Sequence, residues 1–360
     1  MKTFLFLLAF TLLSLHASSQ DYRNLQSHTK WTKLVPKLDS VFFHTDEAIR
    51  IGENVLLYQQ ITGAWPKNIY IPAELSKEEQ KLVVASQKDT DKSTIDNNAT
   101  TTEIEYLSKL FNATQDVRYR DNALRGINYL LKAQYNNGGW PQFYPRATGY
   151  YVQITYNDNA MVRVLKLLRM VAQQQNPYTF INDSLAACAQ KAFDKGINCI
   201  LRTQIRQKGK LTVWCAQHDR NTLAPCKARA YELPSLSGQE SVDIALLLMS
   251  IPYPSDAIKA AVIGAAEWFD KSRIKGLNKE YFINEDGKQD FRMTPCDSCP
   301  DLWARFYDLK TNQPFFCDRD GILHYDISEI GYERRNGYKW FNTDGNKVIT
   351  QYKKWKKKWN

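Results

Sequence analysis

A polar turn followed by a helix start occurs twice in this sequence, and no other feature constrains its fold as strongly. Residues 63–66 read Gly-Ala-Trp-Pro, and residues 139–141 read Gly-Trp-Pro. Residues 96–99 (Asp-Asn-Asn-Ala) are matched by residues 157–160 (Asn-Asp-Asn-Ala), 61 residues further on. Self-similarity of this kind is typical of repeated supersecondary units. We therefore predict an internally repeated architecture of helical hairpins.

Apolar residues at helical spacing extend this prediction over the first 275 residues. Thr45 is placed to cap the first helix. Beyond residue 275 the helical period fades, and we expect long loops, a short helix, a few strands and a solvated basic tail with two tryptophans. No linker is evident, so we predict one predominantly α-helical domain over residues 21–360. The helices are predicted at roughly 45–57, 99–111, 119–135, 158–173, 183–206, 238–250 and 255–274.

The segment from residue 227 to residue 241 places two cations just before a predicted helix. Lys227 and Arg229 precede Pro234, and Ser237 with Glu240 three residues later has the pattern of a capping box. That helix would hold the cations in an irregular segment, where functional side chains are common. A basic loop before a well-capped helix explains the same residues on local grounds alone.

The repeated polar turns place carboxylates and amides at two helix starts. Asp96 and Asp158, with neighbouring amides such as Asn97, offer the oxygen ligands that a hard cation such as Ca²⁺ prefers. Helix capping, which Asp and Asn often perform, is the alternative. The repetition favours a cation site, because turns in neighbouring hairpins can face each other at one rim. Neither turn matches an EF-hand loop.

Two arginines lie among aromatic residues near the C-terminus. Arg305 stands in Trp-Ala-Arg-Phe-Tyr (303–307), and Arg319 stands in Cys-Asp-Arg-Asp-Gly (317–321). A guanidinium beside rings can bind a carboxylate through two hydrogen bonds while the rings stack on a flat substrate. A surface ion pair, for instance of Arg319 with Asp318 or Asp320, is the alternative.

The N-terminus predicts export. Lys2, an apolar stretch over residues 4–15 and small residues at 17–19 form a secretory signal peptide over residues 1–20. The apolar stretch is too short to span a membrane, and we expect no membrane span elsewhere. The mature protein is expected in the periplasm or outside the cell. The net charge of +10 would attract a polyanion, which could be nucleic acid, an anionic membrane or an acidic polysaccharide.

Seven cysteines leave at least one unpaired or paired between chains. Cys215 and Cys226 flank a short loop, and an oxidising compartment permits a disulfide between them. Cys296 and Cys299 form a lone CxxC. We rank a local disulfide first for this pair, half of a zinc site second and a redox motif third.

Other chemistries find no support in the sequence. It contains no P-loop, no Rossmann glycine pattern, no HExxH and no serine in a nucleophile elbow, and its five histidines lack metal-ligand spacing. No module that reads nucleic acid is recognisable, so we expect no nucleic-acid partner.

Five motifs in fixed order carry a family resemblance. They are Asp-Asn-Asn-Ala (96–99), Gly-Gly-Trp-Pro-Gln (138–142), Asn-Asp-Asn-Ala-Met (157–161), Arg-Ala-Tyr-Glu-Leu-Pro-Ser (229–235), and the segment from Trp303 to Gly321. Together they resemble the pectate lyases of polysaccharide lyase family ten. The resemblance implies an (α/α)₃-type toroid with an open groove, dependence on Ca²⁺, and cleavage of polygalacturonate by β-elimination. The CxxC and the lysine-rich tail are not parts of that pattern.

The resemblance also implies a role for each matching residue. An arginine base is at odds with a guanidinium pKa above about 12, which Ca²⁺ and Lys227 could lower. Lys227 as base, with Arg229 as electrostatic support, is the alternative. The implied residues are Asp96 and Asp158 for calcium, Arg229 for proton abstraction, Arg305 and Arg319 for substrate carboxylates, and Trp140 and Asn97 for further substrate contacts.

Three functions follow, in order of preference. The first is an exported pectate lyase that acts as a monomer on polygalacturonate. The second is a hydrolase of the same polymer that uses two carboxylates. The third is a non-catalytic protein that binds acidic glycans in a basic aromatic groove.

Overall fold

A computed structural model of the chain describes residues 30–146 and 148–359. The predicted signal peptide, residues 1–20, lies outside the described residues. The chain divides into two compact units. The prediction of a single toroidal domain stays a prediction. Unit 1 comprises Met1–Gln134, Gln142–Ala147 and Arg163–Phe193, and unit 2 comprises Tyr135–Pro141, Thr148–Val162 and Asp194–Asn360.

Helices make up most of the regular structure. The predicted cap of the first long helix is confirmed, because the Thr45 side chain accepts a hydrogen bond from the Ala48 amide at 3.2 Å. In the described residues the α-helices are Trp31–Leu34, Asp46–Tyr58, Lys77–Ser86, Thr101–Thr114, Val117–Ala133, Ala160–Ala172, Asp183–Thr203, Glu240–Met249, Asp256–Lys271, Tyr332–Gly337 and Gly345–Trp359. The 3₁₀ turns are Val35–Lys37, Phe42–His44, Thr90–Lys92, Asp96–Asn98, Tyr150–Val152, Asn157–Asn159 and Ile327–Glu329.

The strands are short and form antiparallel pairs. The longest pair is a hairpin in unit 2 in which Leu277–Ile283 faces Gln289–Pro295, with Tyr281 opposite Phe291. The remaining pairs each join two-residue strands. These are Ile154–Thr155 with Gln217–His218, Arg206–Gln207 with Lys210–Leu211, Leu236–Ser237 with Phe306–Tyr307, Trp303–Ala304 with Phe341–Asn342, and Phe316–Cys317 with Leu323–His324.

In unit 1 the core forms where helices Thr101–Thr114 and Val117–Ala133 pack together. Trp65, from the first Trp-Pro turn, is fully buried and donates from its indole nitrogen to the Val55 carbonyl at 2.7 Å. A Cβ at Gly126 would lie 2.6 Å from an Ile104 side-chain atom and 2.9 Å from a Trp65 ring atom. Glycine is therefore needed at this position for the helices and the ring to approach each other.

In unit 2 the C-terminal segment is a helix and not the solvated tail that the sequence predicts. Helix Gly345–Trp359 packs on helices Glu240–Met249 and Asp256–Lys271. Val348 and Trp355 are buried, and their spacing of seven residues places both on one helix face. The sequence analysis missed this amphipathic pattern because lysines outnumber the apolar residues in the segment.

One of the two predicted disulfides forms. Cys296 and Cys299 are bridged, as the first-ranked interpretation of the CxxC has it. Cys215 and Cys226 are free thiols, so the second prediction is wrong. The buried Cys215 sulfur lies 3.7 Å from the Cys226 carbonyl oxygen and contacts the backbone of that residue.

Among the described residues, no helix combines the length and apolarity needed to cross a membrane.

Candidate active site

The two polar turns that the sequence predicts to be repeats have the same backbone conformation. Asn97 has φ 50° and ψ 32°, and its counterpart Asp158 has φ 50° and ψ 30°. Asn and Asp tolerate this left-handed region better than other non-glycine residues. The repeat is thus confirmed in local structure. Its carboxylate, however, stands first in one turn, at Asp96, and second in the other, at Asp158.

In unit 1 the first position of the turn is buried. Asp96 is 3% exposed, and its Oδ2 accepts a hydrogen bond from Lys67 Nζ. Its Oδ1 is buried and has no hydrogen-bond partner among the described residues. Asn97 donates from Nδ2 to Asn68 Oδ1 at 2.9 Å. The turn thus presents one buried carboxylate oxygen that still lacks a positive partner.

In unit 2 the corresponding carboxylate is half-exposed. The side chain of Asp158 is 45% exposed, and its Oδ1 lies 3.5 Å from Nη2 of Arg305. Asn157 Oδ1 accepts from the same nitrogen at 2.9 Å. Asn159 donates from Nδ2 to Asp243 Oδ2. The turn therefore contacts an arginine on one side and a second carboxylate on the other.

Arg305 is a buried cation with a buried counter-charge. It is 5% exposed, and its Nη2 donates to Glu240 Oε1 at 2.6 Å. Burial alone would lower the pKa of Arg305, but the charge of Glu240, with smaller contributions from Tyr338 and Asp158, outweighs it and raises the pKa. The guanidinium also lies 4.6 Å from the centre of the Tyr338 ring. Arg305 is thus charged and fixed in place.

Glu240 does not complete the capping box that the sequence predicts. Ser237 lies in a strand, where its amide donates to the Trp214 carbonyl at 2.8 Å and is unavailable to the carboxylate. The Ser237 side chain does accept from the Glu240 amide at 3.1 Å. The Glu240 carboxylate takes the Ser237 hydroxyl and Arg305 instead. The capping prediction is therefore only half right, and Glu240 belongs to the arginine site.

Arg229 is clamped by a glutamate three residues later in a tight turn. Its Nε donates to Glu232 Oε2 at 2.9 Å, and its Nη2 lies 2.5 Å from Oε1. Burial alone would lower the pKa of Arg229, but hydrogen bonds and charge from Glu232 outweigh it and raise the pKa. Burial alone would raise the pKa of Glu232, but Arg229 outweighs it and lowers the pKa. Both groups are therefore charged.

Two tyrosine rings gather four guanidinium groups in unit 2. Tyr231 and Tyr338 lie with their ring centres 5.3 Å apart, edge to face. Cations over aromatic faces are attracted by the ring quadrupole. We call Arg229, Arg305, Arg319 and Arg334 the arginine cluster. Around Tyr231 the guanidinium carbons lie at 5.0 Å (Arg229), 4.6 Å (Arg334) and 6.0 Å (Arg319), and around Tyr338 at 4.6 Å (Arg305), 5.9 Å (Arg229) and 5.9 Å (Arg334).

Arg319 pairs with a more distant residue than the sequence predicts. Its side chain is 65% exposed and donates from Nε and Nη2 to Glu333, both at 3.0 Å. From Arg319, the Asp318 carboxylate accepts the backbone amide, at 2.7 Å, and its other oxygen accepts from the Gly331 amide. Glu333 also accepts from Arg334 Nε, at 2.9 Å. The surface ion pair that the sequence offered as the alternative role of Arg319 does form, but with Glu333, on the short helix Tyr332–Gly337, and not with Asp318 or Asp320.

Comparison with known proteins bears on this arrangement of arginines and glutamates. The family model described as pectic acid lyase matches residues 59–349. A mutant of the family 10 polysaccharide lyase from Cellvibrio cellulosa, solved in complex with trigalacturonic acid, is 35% identical. This similarity covers 88% of this chain and 96% of that chain, with a TM-score of 0.75. A second structure of the Cellvibrio lyase is 34% identical over 88% of this chain and 95% of that chain, with a TM-score of 0.74. None of the curated proteins matches.

The chain belongs to the pectic acid lyase family. The resemblance identified from the five motifs is confirmed, and with it the class of enzyme, a polysaccharide lyase acting as a pectate lyase. The match includes Asp96, Asp158 and all four members of the arginine cluster. The individual roles assigned to these residues stay predictions.

Two residues that the sequence assigns to the lyase's site have contrasting surroundings. Lys227 is exposed, and its side chain has no partner among the described residues. Trp140 is fully buried. A ring without exposed surface cannot stack on a sugar, so we correct the role of Trp140 from substrate contact to core packing.

The acidic turns of the lyase offer oxygen ligands to a cation, but in small number. In the described parts of the chain, no group of three or more His, Cys, Asp or Glu side chains could hold a metal ion. The unpartnered buried Oδ1 of Asp96 fits a cation, because a buried carboxylate oxygen without a partner is costly. The exposed fraction of Asp158 fits a ligand that keeps part of its water. Each turn is thus chemically suited to Ca²⁺.

Sequence reasoning missed the partners that hold the lyase's arginines. Glu232 and Tyr338 hold Arg229, Glu240 holds Arg305, and Glu333 holds Arg319. Glu232 lies inside a motif that carries the resemblance, so its position three residues after Arg229 was a usable signal. Tyr338 and Glu333 meet the arginines only through long-range packing, which no local pattern predicts.

Proposed function

We propose that this lyase is exported and cleaves α-1,4-linked polygalacturonate by calcium-assisted β-elimination, giving 4,5-unsaturated oligogalacturonides. The observation that carries the proposal is the arginine cluster on Tyr231 and Tyr338. The relative solved with trigalacturonic acid supports the choice of substrate. We also propose the (α/α)₃ toroid with an open groove, a single domain and a monomer, which small-angle scattering would test.

The chemistry needs cations around a carboxylate. The C5–H and C4–O bonds break, a C4–C5 double bond forms, and the leaving C4 oxygen takes up a proton. The proton at C5 is weakly acidic because the neighbouring C6 carboxylate is negatively charged. Fixed guanidinium groups on that carboxylate would stabilise the charge that develops in the transition state, and such preorganised charge is usually the largest catalytic contribution.

The neighbouring glutamates make this preorganisation possible. Arg229 and Arg305 are held by Glu232 and Glu240, both buried, so neither guanidinium has to be ordered when the substrate arrives. Arg305, being 5% exposed, would reach a substrate carboxylate with only a small part of its guanidinium. Its contacts with Asn157 and Asp158 also make it a positioning group for the polar turn.

Two assignments of the base compete. Arg229 is the base in our leading mechanism, although its raised pKa requires the substrate to displace Glu232 before a neutral guanidine can form. Lys227, two residues earlier, is exposed and carries no counter-charge among the described residues. With Lys227 as base, Arg229 would supply only electrostatic support. Kinetics of the two variants, described below, separate these mechanisms.

We propose Asp96 and Asp158 as calcium ligands. Ca²⁺ would supply a further positive charge for the substrate carboxylate. Asp158 Oδ1 lies 3.5 Å from Nη2 of Arg305, so with Ca²⁺ bound this carboxylate would be shared between the ion and the guanidinium. We expect Asp158→Ala to abolish turnover at low calcium and to weaken calcium binding measured by calorimetry. The free energy of unfolding should change by about 1 kcal/mol or less, the value of a helix cap.

A matched control keeps the calcium test decisive. Asp256→Ala removes an exposed first-turn carboxylate from helix Asp256–Lys271, outside the proposed site. It should leave calcium binding and turnover unchanged. Normal calcium-dependent turnover in Asp158→Ala, with only the small loss of stability, would show that Asp158 is no more than a cap.

One assay distinguishes the three functions considered. Ultraviolet absorbance of the unsaturated product, on polygalacturonate with and without chelator, should rise only with calcium. Reducing ends without that absorbance would indicate a hydrolase, and the absence of both signals would indicate a binding protein.

Turnover should fall as the polymer is methyl-esterified, because esterification removes the carboxylate charges that the arginines bind. Equal turnover of fully esterified pectin would contradict a site that reads carboxylates.

A further inference from the structure

The last helix of the chain carries more than half of the protein's net positive charge. Gly345–Trp359 contains six lysines and no acidic residue, in a chain whose net charge is +10. Lys347 pairs with Asp344 at 2.8 Å. The other five are exposed and have no ion-pair partner among the described residues; they are Lys353, Lys354, Lys356, Lys357 and Lys358.

The stability of the helix does not account for this concentration of charge. Lys356, Lys357 and Lys358 lie in the last turn, where cations interact favourably with the helix dipole, but that effect does not extend to Lys353 and Lys354. Lysines three and four residues apart repel each other, as Lys353 does Lys357 and Lys354 does Lys358. A helix anchored by Val348 and Trp355 thus tolerates unfavourable charge pairs.

We propose that the lysine face, defined as Lys353, Lys354, Lys356, Lys357 and Lys358, binds polygalacturonate outside the arginine cluster. The inference rests on the proposed function for the identity of the polymer. A chain with one carboxylate per sugar matches a row of exposed ammonium groups by charge. Trp359 is half-buried and Tyr253 is 86% exposed, with ring centres 5.3 Å apart, and this pair offers sugar rings an apolar contact beside the lysines.

An anionic membrane fits this helix less well. A helix that lies on a membrane inserts its apolar face between the lipid headgroups. Here that face is already used, because Val348 and Trp355 are buried where the helix packs on Glu240–Met249 and Asp256–Lys271. The groups left accessible include the five lysines and the ring pair of Trp359 and Tyr253, and these suit a soluble polyanion better than a lipid surface.

The test compares two triple variants with the same loss of charge. Lys354→Gln/Lys357→Gln/Lys358→Gln removes three of the five unpaired positive charges of the lysine face. Lys77→Gln/Lys81→Gln/Lys88→Gln removes three exposed lysines of unit 1. Affinity electrophoresis in polygalacturonate gels with chelator measures binding of the polymer without cleavage. Turnover of trigalacturonate measures the active site alone.

We expect the helix variant to bind the polymer about tenfold more weakly, with a shallower dependence on salt. Its turnover of trigalacturonate and its thermal unfolding should stay unchanged, and the control variant should match the wild type throughout. Equal losses in both triple variants, or no loss in the helix variant, would overturn the proposal. So would wild-type binding to phosphatidylserine vesicles as tight as binding to the polymer. If trigalacturonate is not cleaved by the wild type, the proposed function fails, while the gels still report on the lysine face.

Discussion

Each of the two units contains a buried glutamate, and the pKa values of these two glutamates are shifted in opposite directions. In unit 1, Glu103 is 3% exposed, and among the described residues its carboxyl accepts one side-chain hydrogen bond, from the Trp31 indole at 2.8 Å. Burial raises the pKa of Glu103 to about 7. In unit 2, Glu232 is 4% exposed and accepts from Arg229 and from the Tyr338 hydroxyl. Its pKa is lowered despite burial, because Arg229 is held against it.

The difference separates a structural carboxyl from functional ones. A buried acid without a cation binds a proton as the pH falls below about 7, and it fixes a tryptophan in the core. A buried acid beside arginine stays charged and fixes a cation. Only the second arrangement can present positive charge to an acidic substrate. Glu240 likewise holds an arginine, with its Oε1 2.6 Å from Nη2 of Arg305.

The largest effect is expected where the arginine of such a pair is replaced. Arg229→Lys keeps the charge but loses the two-pronged contact with Glu232 and the reach of the guanidinium. A group that transfers a proton contributes about 10²–10⁴-fold in rate. Steady-state kinetics on polygalacturonate should therefore show that loss in kcat, with KM little changed.

Lys227→Ala is the companion variant. It should reduce turnover only modestly if Arg229 is the base. A dead Lys227→Ala enzyme beside a nearly normal Arg229→Lys enzyme would assign the base to Lys227. Arg305→Lys should chiefly raise KM if Arg305 grips a carboxylate equally in ground and transition states.

The next effect concerns the wholly buried pair of Arg305 and Glu240. Arg305→Met removes the cation and leaves the Glu240 charge buried without compensation. Breaking a buried pair in this way costs about 3–5 kcal/mol of stability, measured by urea unfolding. Adding Glu240→Gln to Arg305→Met should recover much of the loss. Additive losses in the double variant would show that the two side chains do not depend on each other.

The sequence predicted the family, most of the long helices and three of the four clustered arginines, because these leave local patterns. It missed Arg334 and the helix Lys77–Ser86. Thr45 as a helix cap, and Arg229, Arg305 and Arg319 as site candidates, could be identified from their side-chain type and neighbouring residues alone. It did not predict the helix Gly345–Trp359, because its six lysines obscured the apolar spacing of Val348 and Trp355. Nor could it find Tyr338 or Glu333. The Tyr338 hydroxyl donates to Glu232, 106 positions earlier in the chain, and Glu333 accepts from Arg319, 14 positions earlier.

The third prediction concerns unit 1, where the buried Glu103 should make the free energy of unfolding depend on pH. The folded pKa of Glu103, about 7, is above the ordinary value of 4.5, so the folded state holds the proton more tightly. The resulting stability is fully present below pH 4.5 and is lost as the pH rises to about 7, a change of about 3 kcal/mol. Glu103→Gln should remove this slope from unfolding curves. Glu78→Gln, at an exposed carboxylate in unit 1, should keep it, and an unchanged slope in Glu103→Gln would place the titration elsewhere.

The smallest effect on stability is expected at Glu333, which pairs with Arg319 and Arg334 at the protein surface. Glu333 is 59% exposed, and hydrogen bonds first from Arg334 and then from Arg319 lower its pKa to about 2. Solvent screens such a pair, so Glu333→Gln should leave the free energy of unfolding at pH 7 unchanged within error. The same change removes a carboxylate that competes with the substrate for two arginines, so KM for polygalacturonate should fall while kcat stays the same. A marked loss of stability would mean that Glu333 supports the cluster as Glu232 and Glu240 do, and a rise in KM would mean that its task is to orient Arg319 for the substrate.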